Sequence, residues 1–514
     1  MKIKGTHFIC GAICFSFAFN IATTAHAVIP QLLGPLSALV SILPQILVFV
    51  GIAVLAIFKP STYRLLISYI RGFASRHKAI ATVLGLVIVA GFVWFVYQVL
   101  QPDHLSVLKA TGNVHLSEQS TARRHEPPAW SAFRGGITRT GHVDNLPGPR
   151  NAAITWTFKE TGGVMVDFSS SPAVVGDRVY IASAQGSIFS SSGAVYCLDA
   201  NSGKVLWQSR PPFQIFSSPT VVGGRVYVGE GFHQDTDCHL YCLDANNGDA
   251  LWEFQTTCHV ESSPFVSQGK VYFGAGADGV YCIDALEGKE IWHYPSVHVD
   301  ISPAVWKGIA YFGSGYGEYT IYAVDANDGR EIWSTRVDQP VWGSPSANEN
   351  MIYFGLGNGN FIRSAPNPGG GVIAVNAQTG EQIWAYEAAD AVLTAVAYQN
   401  GVVYFGSRDG NIYALNATNG ERRWKFSIGN PIVSSPAITE NSVYVSDDSG
   451  VIYSIDIVRG NVMWQFDTGK IGNGEPIYSS PAIANGKLYV GSKEYIFCLG
   501  EKTMSDESLQ LEDR

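Results

Sequence analysis

Two residue pairs in the middle of the chain have the types and spacing to do chemistry. His259-Val-Glu261 and His298-Val-Asp300 each stand four and two residues before the serine of a Ser-Pro pair, at Ser263 and Ser302. A shared offset from a repeated landmark places them at equivalent points of neighbouring units. Two imidazoles and two carboxylates that converge can hold a divalent metal ion or a polar ligand. His233, Asp235 and Asp237 fall in a long loop of the preceding unit, expected on the same face. Trp342 and Tyr478, two residues before other Ser-Pro serines, offer flat rings for a cofactor to stack on. A solvated rim whose charges pair with each other fits the same residues.

The elements that position these residues are repeats. Tyr241-Cys-Leu-Asp-Ala-Asn-Asn-Gly-Asp-Ala-Leu-Trp252 recurs in copies that end at Trp207, Trp292, Trp333, Trp384, Trp424 and Trp464, mostly 40 or 41 residues apart. A period of that length marks a repeat architecture. Tyr-x-Leu alternates like a strand, Asp-Ala-x-x-Gly makes a turn with glycine at positive φ, and the run to tryptophan is the return strand. A second hairpin begins upstream at each Ser-Pro, which gives four strands per unit, the content of one propeller blade. There are eight starts, at Ser171, Ser218, Ser263, Ser302, Ser344, Ala395, Ser435 and Ser480, but the last unit lacks its tryptophan strand. Residues 154–158, around Trp156, supply it. The expected fold is therefore all-β: an eight-bladed β-propeller over 151–500, closed by strand exchange between the N- and C-terminal ends so that no sheet edge stays open. In such a ring the residues before each Ser-Pro open the innermost strand at the channel mouth. The insertion at 355–371, rich in Gly, Pro and Asn, would cover part of that mouth.

Ahead of the repeats the chain changes character. Residues 1–27 read as a signal peptide or a first membrane helix. Segments 38–58 and 80–100 are each long and apolar enough to be transmembrane helices. The loop 59–78 between them carries five Lys/Arg and no acid, which places it in the cytoplasm. The propeller is then expected on the periplasmic, extracytoplasmic side of the cytoplasmic membrane. Residues 101–150 are a linker whose Trp130-Ser-Ala-Phe133-Arg134-Gly135 is apolar enough to dock on the propeller, and 501–514 is an acidic, disordered tail. Residues 101–514 carry 27 basic and 43 acidic side chains, a balance that argues against nucleic acid as a partner. Cys197, Cys242, Cys282 and Cys498 share one repeat position and read as small buried residues. Cys238 and Cys258 lie outside that register and are candidates for a disulfide.

The pattern Ser-Pro…Val-Tyr…Tyr-Ala-Leu-Asp-Ala-x-x-Gly-x-x-x-Trp closely resembles the pyrroloquinoline-quinone (PQQ)-like propeller repeat, and Trp130–Gly135 resembles a leader seen before such propellers. The resemblance covers about residues 150–500 and implies that the repeat tryptophans dock between blades. It admits two classes of function. One is quinoprotein dehydrogenases, which oxidise alcohols or sugars with PQQ and Ca²⁺. The other is non-enzymatic scaffolds, such as the propeller of the outer-membrane barrel-assembly machinery. The dehydrogenases typically carry an adjacent Cys-Cys pair, a Trp beneath the cofactor, a Glu/Asn pair on Ca²⁺ and an Asp base. This chain has no Cys-Cys and no Cys-x-x-Cys-His for covalent haem. Asn358, in Gly355-Leu-Gly-Asn-Gly-Asn360, resembles the stretch that supplies their Ca²⁺ ligand, and also reads as a turn.

The reading that follows is a membrane-anchored, non-catalytic scaffold that binds an envelope or membrane protein. The alternative is a membrane-bound PQQ- and Ca²⁺-dependent dehydrogenase. Cofactor residues would be Trp342, Tyr478 and Asn358; metal ligands would be His259, Glu261, His298 and Asp300.

Overall fold

Apolar side chains on both faces of a strand demand cover on both faces, and the repeat supplies it by stacking sheets side by side. In the second unit Thr220–Val222, Arg225–Gly229, His239–Asp244 and Ala250–Gln255 pair in that order. Its two middle strands are almost wholly buried, whereas the last is mostly exposed on alternate residues. Eight such sheets form the blades of an all-β propeller. This computed structural model describes residues 130–501, apart from 137–138, 143–147, 161–164, 188–189, 234, 318 and 473. The expected signal peptide, membrane helices, basic loop and most of the linker and acidic tail lie outside the described residues. No helix among the described residues is long and apolar enough to cross a membrane.

Two blades depart from the simple repeat. The first has five strands, because Met165–Asp167 and Ala173–Val175 both pair with Arg178–Ser187. The eighth has three of its own, Ala482–Ala484, Lys487–Gly491 and Tyr495–Gly500. Its fourth is Ala153–Lys159, antiparallel to Tyr495–Gly500.

The repeat motif acts between neighbouring blades. Trp207 Nε1 of the first blade donates to the Ala245 carbonyl of the second at 3.0 Å, and Tyr180 Oη donates to the same oxygen at 3.1 Å. Trp292 and Tyr272 meet in the same way on Ala326, and Trp333 and Tyr311 on Ala377. Trp156 of the eighth blade reaches Ala200 of the first at 3.0 Å. Each indole also lies on the glycine of the turn it reaches. Gly329 has φ +73, and a Cβ there would stand 2.8 Å from the Trp292 ring. Gly329→Ala is expected to cost about 2–4 kcal/mol, from left-handed backbone strain together with overpacking. Urea unfolding of the full chain reads this loss, and a change under about 1 kcal/mol would mean that the indole does not need the bare Cα.

The Ser-Pro serines link the inner strands. The N–H groups of Ser171, Ser218, Ser263 and Ser302 each donate to the hydroxyl of the next start serine, and so do those of Ala395, Ser435 and Ser480, at 2.8–3.1 Å. Ser480 donates to Ser171, so the eighth blade adjoins the first. The one missing hydroxyl is that of Ala395.

The centre of the ring is filled by the leader. Val174 of the first blade donates to the Trp130 carbonyl and Val221 of the second to Ser131, while Tyr398 of the sixth donates to Thr140 and Ile438 of the seventh to Gly141. A segment that pairs with inner strands on opposite sides of a ring must cross its axis. Two guanidiniums are buried in this crossing. Arg134 donates to the carbonyls of Arg139, Val396 and Pro436, at 3.3, 2.6 and 2.7 Å. Arg139 donates to Ser263 O at 2.8 Å and lies over the Phe133 and Phe265 rings. Burial pulls both down to about 9, so both remain charged at neutral pH.

Candidate functional site

The residues that precede each inner strand stand at the channel mouth, and there the two sequence pairs meet. His259 Nε2 lies 3.0 Å from Asp300 Oδ1, and His298 Nε2 lies 3.0 Å from both Asp300 oxygens. Glu261 Oε1 is 3.7 Å from His259 Nε2 and 3.1 Å from His233 Nδ1. All four predicted metal residues therefore converge, and His233 joins them from the long loop of the second blade. His259 is fully buried, Asp300 and Glu261 nearly so, and His233 is half exposed, so the cluster opens to solvent on the His233 side. One ligand atom each from His233, His259 and Asp300 lies within 4.8 Å of the other two.

Local backbone chemistry sets these positions. Asp235 Oδ2 accepts from Phe232 N at 2.9 Å, and Glu261 Oε1 accepts from His233 N at 2.8 Å, which fixes the loop over the rim. Gly231, at φ +99, lets the chain pass where a Cβ would lie 2.4 Å from Cys238 Sγ. The base of the loop is held by buried Glu230, which accepts from Tyr241 Oη at 3.0 Å and lies 2.9 Å from His239 Nδ1. Burial raises the Glu230 carboxyl above its usual range.

The electrostatics of the cluster are those of paired charges. Burial alone would raise Asp300, but hydrogen bonds from His259 and His298 and the charge on both rings bring it down to about 2. Burial opposes charge on His259, and the Asp300 hydrogen bond with the fields of Glu261 and Asp300 overrides it, so the imidazole is raised. His233 is raised chiefly by its hydrogen bond to Glu261.

Around the cluster runs an arc of rings, Phe216, Phe232, His233, His259, His298, Tyr316 and Trp342. Each touches the next, with centroids 4.3–5.8 Å apart. Trp342 thus joins the histidines, whereas Tyr478 does not. Both tryptophan and tyrosine pack on an apolar patch of Ala391, Leu393 and Val433 across the mouth. Trp342 Nε1 is buried without a hydrogen-bond partner. Asn358 is used elsewhere: its Oδ1 accepts from Gly369 N at 2.9 Å and its Nδ2 donates to Asn367 O at 2.8 Å, which folds the insertion on itself. Arg408 Nη1 fastens that insertion to the sixth blade through the Phe361 carbonyl at 2.9 Å. Phe232 and Tyr316 lie in loops with no repeat register, so nothing in the sequence points to them.

Cys238 and Cys258 are both free thiols. Cys258 Sγ turns instead to His259 Nδ1, 3.3 Å away, and burial pushes the Cys238 thiol up to about 12. Cys238 is therefore not poised as a nucleophile, since nucleophilic thiols have depressed rather than raised pKa values.

Calcium takes six to eight oxygens. Here each carboxylate faces imidazoles, and the Asn358 amide is spent within its own loop. That set suits a borderline nitrogen-seeking ion and does not fit calcium.

The family model for the outer membrane protein assembly factor BamB matches residues 140–301, 297–365 and 368–501, more than two thirds of the chain. No curated protein matches. Among solved structures, BamB from Moraxella catarrhalis is 18% identical with a TM-score of 0.53, over 68% of this chain and 98% of that one. A europium-containing methanol dehydrogenase is 16% identical with a TM-score of 0.55, over 72% and 91%. The quinohemoprotein alcohol dehydrogenase from Comamonas testosteroni is 14% identical with a TM-score of 0.56, over 73% and 81%. Likeness at these identities concerns the fold.

Proposed function

We propose, from the premise that this chain belongs to the PQQ-like β-propeller family matched by the assembly factor BamB, that it is a binding scaffold of the cell envelope with no chemistry of its own. Segments 38–58 and 80–100 anchor it in the cytoplasmic membrane, and the propeller stands on the periplasmic side. Strand exchange between the two ends closes the ring, a reading supported by the pairing of Ala153–Lys159 with Tyr495–Gly500.

The observation that carries the scaffold reading is the outer rim. Contrary to the expectation that no sheet edge stays open, each outer strand has a partner on one side only, because the exchange completes the eighth blade without covering the outer rim, and the other edge carries unpaired backbone groups. Just before the repeat tryptophan that edge bears an exposed apolar side chain in six blades: Leu206, Leu251, Ile291, Ile332, Ile383 and Met463. Apolar side chains on open strand edges suit a protein partner that adds a strand. The family offers a dehydrogenase as the other reading, and the donor set at the mouth argues against it.

One experiment separates the two. A photo-crosslinking residue at Ile291 or Ile332 in the native membrane should give one defined adduct with an envelope protein, while the same residue at Ser202 should not. Titration of the full chain in detergent with PQQ and Ca²⁺ should leave tryptophan fluorescence unchanged. Saturable, Ca²⁺-dependent quenching would overturn the scaffold in favour of the enzyme.

A further inference from the structure

We infer that the mouth of this propeller holds a structural zinc ion, bound by His233 Nδ1, His259 Nε2 and the carboxylates of Asp300 and Glu261. Three observations carry it. First, the four groups already face one another: the His233, His259 and Asp300 donor atoms lie within 4.8 Å, and Glu261 Oε1 is 3.1 and 3.7 Å from the two imidazole nitrogens. A tetrahedral zinc at 2.0–2.1 Å from each ligand needs donors about 3.4 Å apart, so the pairs at 3.0 and 3.1 Å would open slightly and the wider ones close.

Second, one of the two histidines is held from behind. A ligating imidazole is normally held through its other nitrogen. His259 Nδ1 lies 3.3 Å from Cys258 Sγ, which leaves Nε2 directed at the cluster. His298 Nε2 approaches both Asp300 oxygens at 3.0 Å and so orients that carboxylate; it is a positioning residue in this arrangement. Third, His259 is fully buried and sits against the backbone. A Cβ on Gly276 would lie 2.6 Å from its ring, so the imidazole has no room to swing out to solvent.

Two neutral imidazoles and two carboxylates leave the ion without excess charge, and nitrogen with oxygen donors in this number suits zinc. The ion would tie three units together: the loop of the second blade through His233, the opening of the third through His259 and Glu261, and the opening of the fourth through Asp300. Its role would be to hold His233 against the rim formed by His259, Glu261 and Asp300.

The test uses the full chain in detergent, purified without a polyhistidine tag, stripped with EDTA and returned to zinc under competition with a chromophoric chelator. The expected result is one zinc per chain that survives gel filtration, with a rise in the melting midpoint and slower cleavage within 231–237. Cobalt in place of zinc should give the visible absorption bands of a tetrahedral site. His233→Ala, at a half-exposed position, should leave the metal-free protein folded by circular dichroism and weaken zinc at least tenfold. His298→Ala should weaken it less and keep the cobalt bands. Should His259→Ala fail to fold, the His233 variant still decides. Absence of stoichiometric zinc, or unchanged affinity in His233→Ala, would overturn the proposal and leave the cluster as a set of His–carboxylate ion pairs.

Discussion

Arg134→Met should destabilise the propeller by about 3–5 kcal/mol, an effect expected when several buried acceptors lose a charged donor at once. The reason lies in its position on the ring axis. Its guanidinium gathers the carbonyls of Arg139 in the leader, Val396 in the sixth blade and Pro436 in the seventh. Methionine fills much of the volume but donates nothing, so the Pro436 carbonyl loses its guanidinium and those of Arg139 and Val396 are left to share the Ser346 hydroxyl. Arg134→Lys should recover only a minor part, because one ammonium cannot reproduce the planar fork that reaches separate acceptors. Urea unfolding of the full chain in detergent, followed by tryptophan fluorescence, gives the comparison. A loss below about 1 kcal/mol for Met, or full recovery with Lys, would mean that the leader rests on the ring without bracing it. A structural brace also predicts that Arg134→Met speeds proteolysis between 130 and 150 before the blades are cut.

Trp156→Ala should cost about 3–5 kcal/mol, the range for a large aromatic removed from a packed core, and its effect should be local in a way that the other repeat tryptophans do not share. Trp156 packs on Gly203 and donates to Ala200 in the first blade, from a strand that belongs to the eighth. Every other outer strand is joined to its own blade by a short turn. Ala153–Lys159 is held to its sheet by pairing with Tyr495–Gly500 and by the Lys159–Glu494 ion pair, while this indole and Phe158, against Phe168 and Tyr196, tie it to the first blade. Hydrogen exchange should therefore show early loss of protection in 153–159 and 495–500 for Trp156→Ala. Trp333→Ala, with a similar equilibrium cost, should leave those strands protected. Equal protection of the terminal strands in both variants would show that the ring is not weakest at that junction.

Much of this architecture was legible in the chain itself. The blades follow from local chemistry that recurs: alternation, an Asp–Gly turn, and a tryptophan at fixed distance. That is why eight starts, including Ala395, could be counted without a structure. The pairing of His259/Glu261 with His298/Asp300 was legible for the same reason, since equal offsets in a repeat become equal heights on a ring. Asn358 shows the limit. Its local pattern suggests a ligand, but whether a loop amide faces the mouth or its own loop depends on how the insertion folds, and here it closes on Asn367 and Gly369.

The sequence by itself therefore determined the periodic part of the protein: the fold class, the blade number, the residues between blades and the four rim residues. Tertiary structure alone decided the parts with no period. It turned His233 into the cluster, left Cys238 and Cys258 as free thiols, and carried the leader across the axis so that Arg134 meets carbonyls 262 and 302 residues further along the chain. Such contacts are set by the ring as a whole, because a single segment can reach the inner strands of opposite blades only after those blades have closed around it.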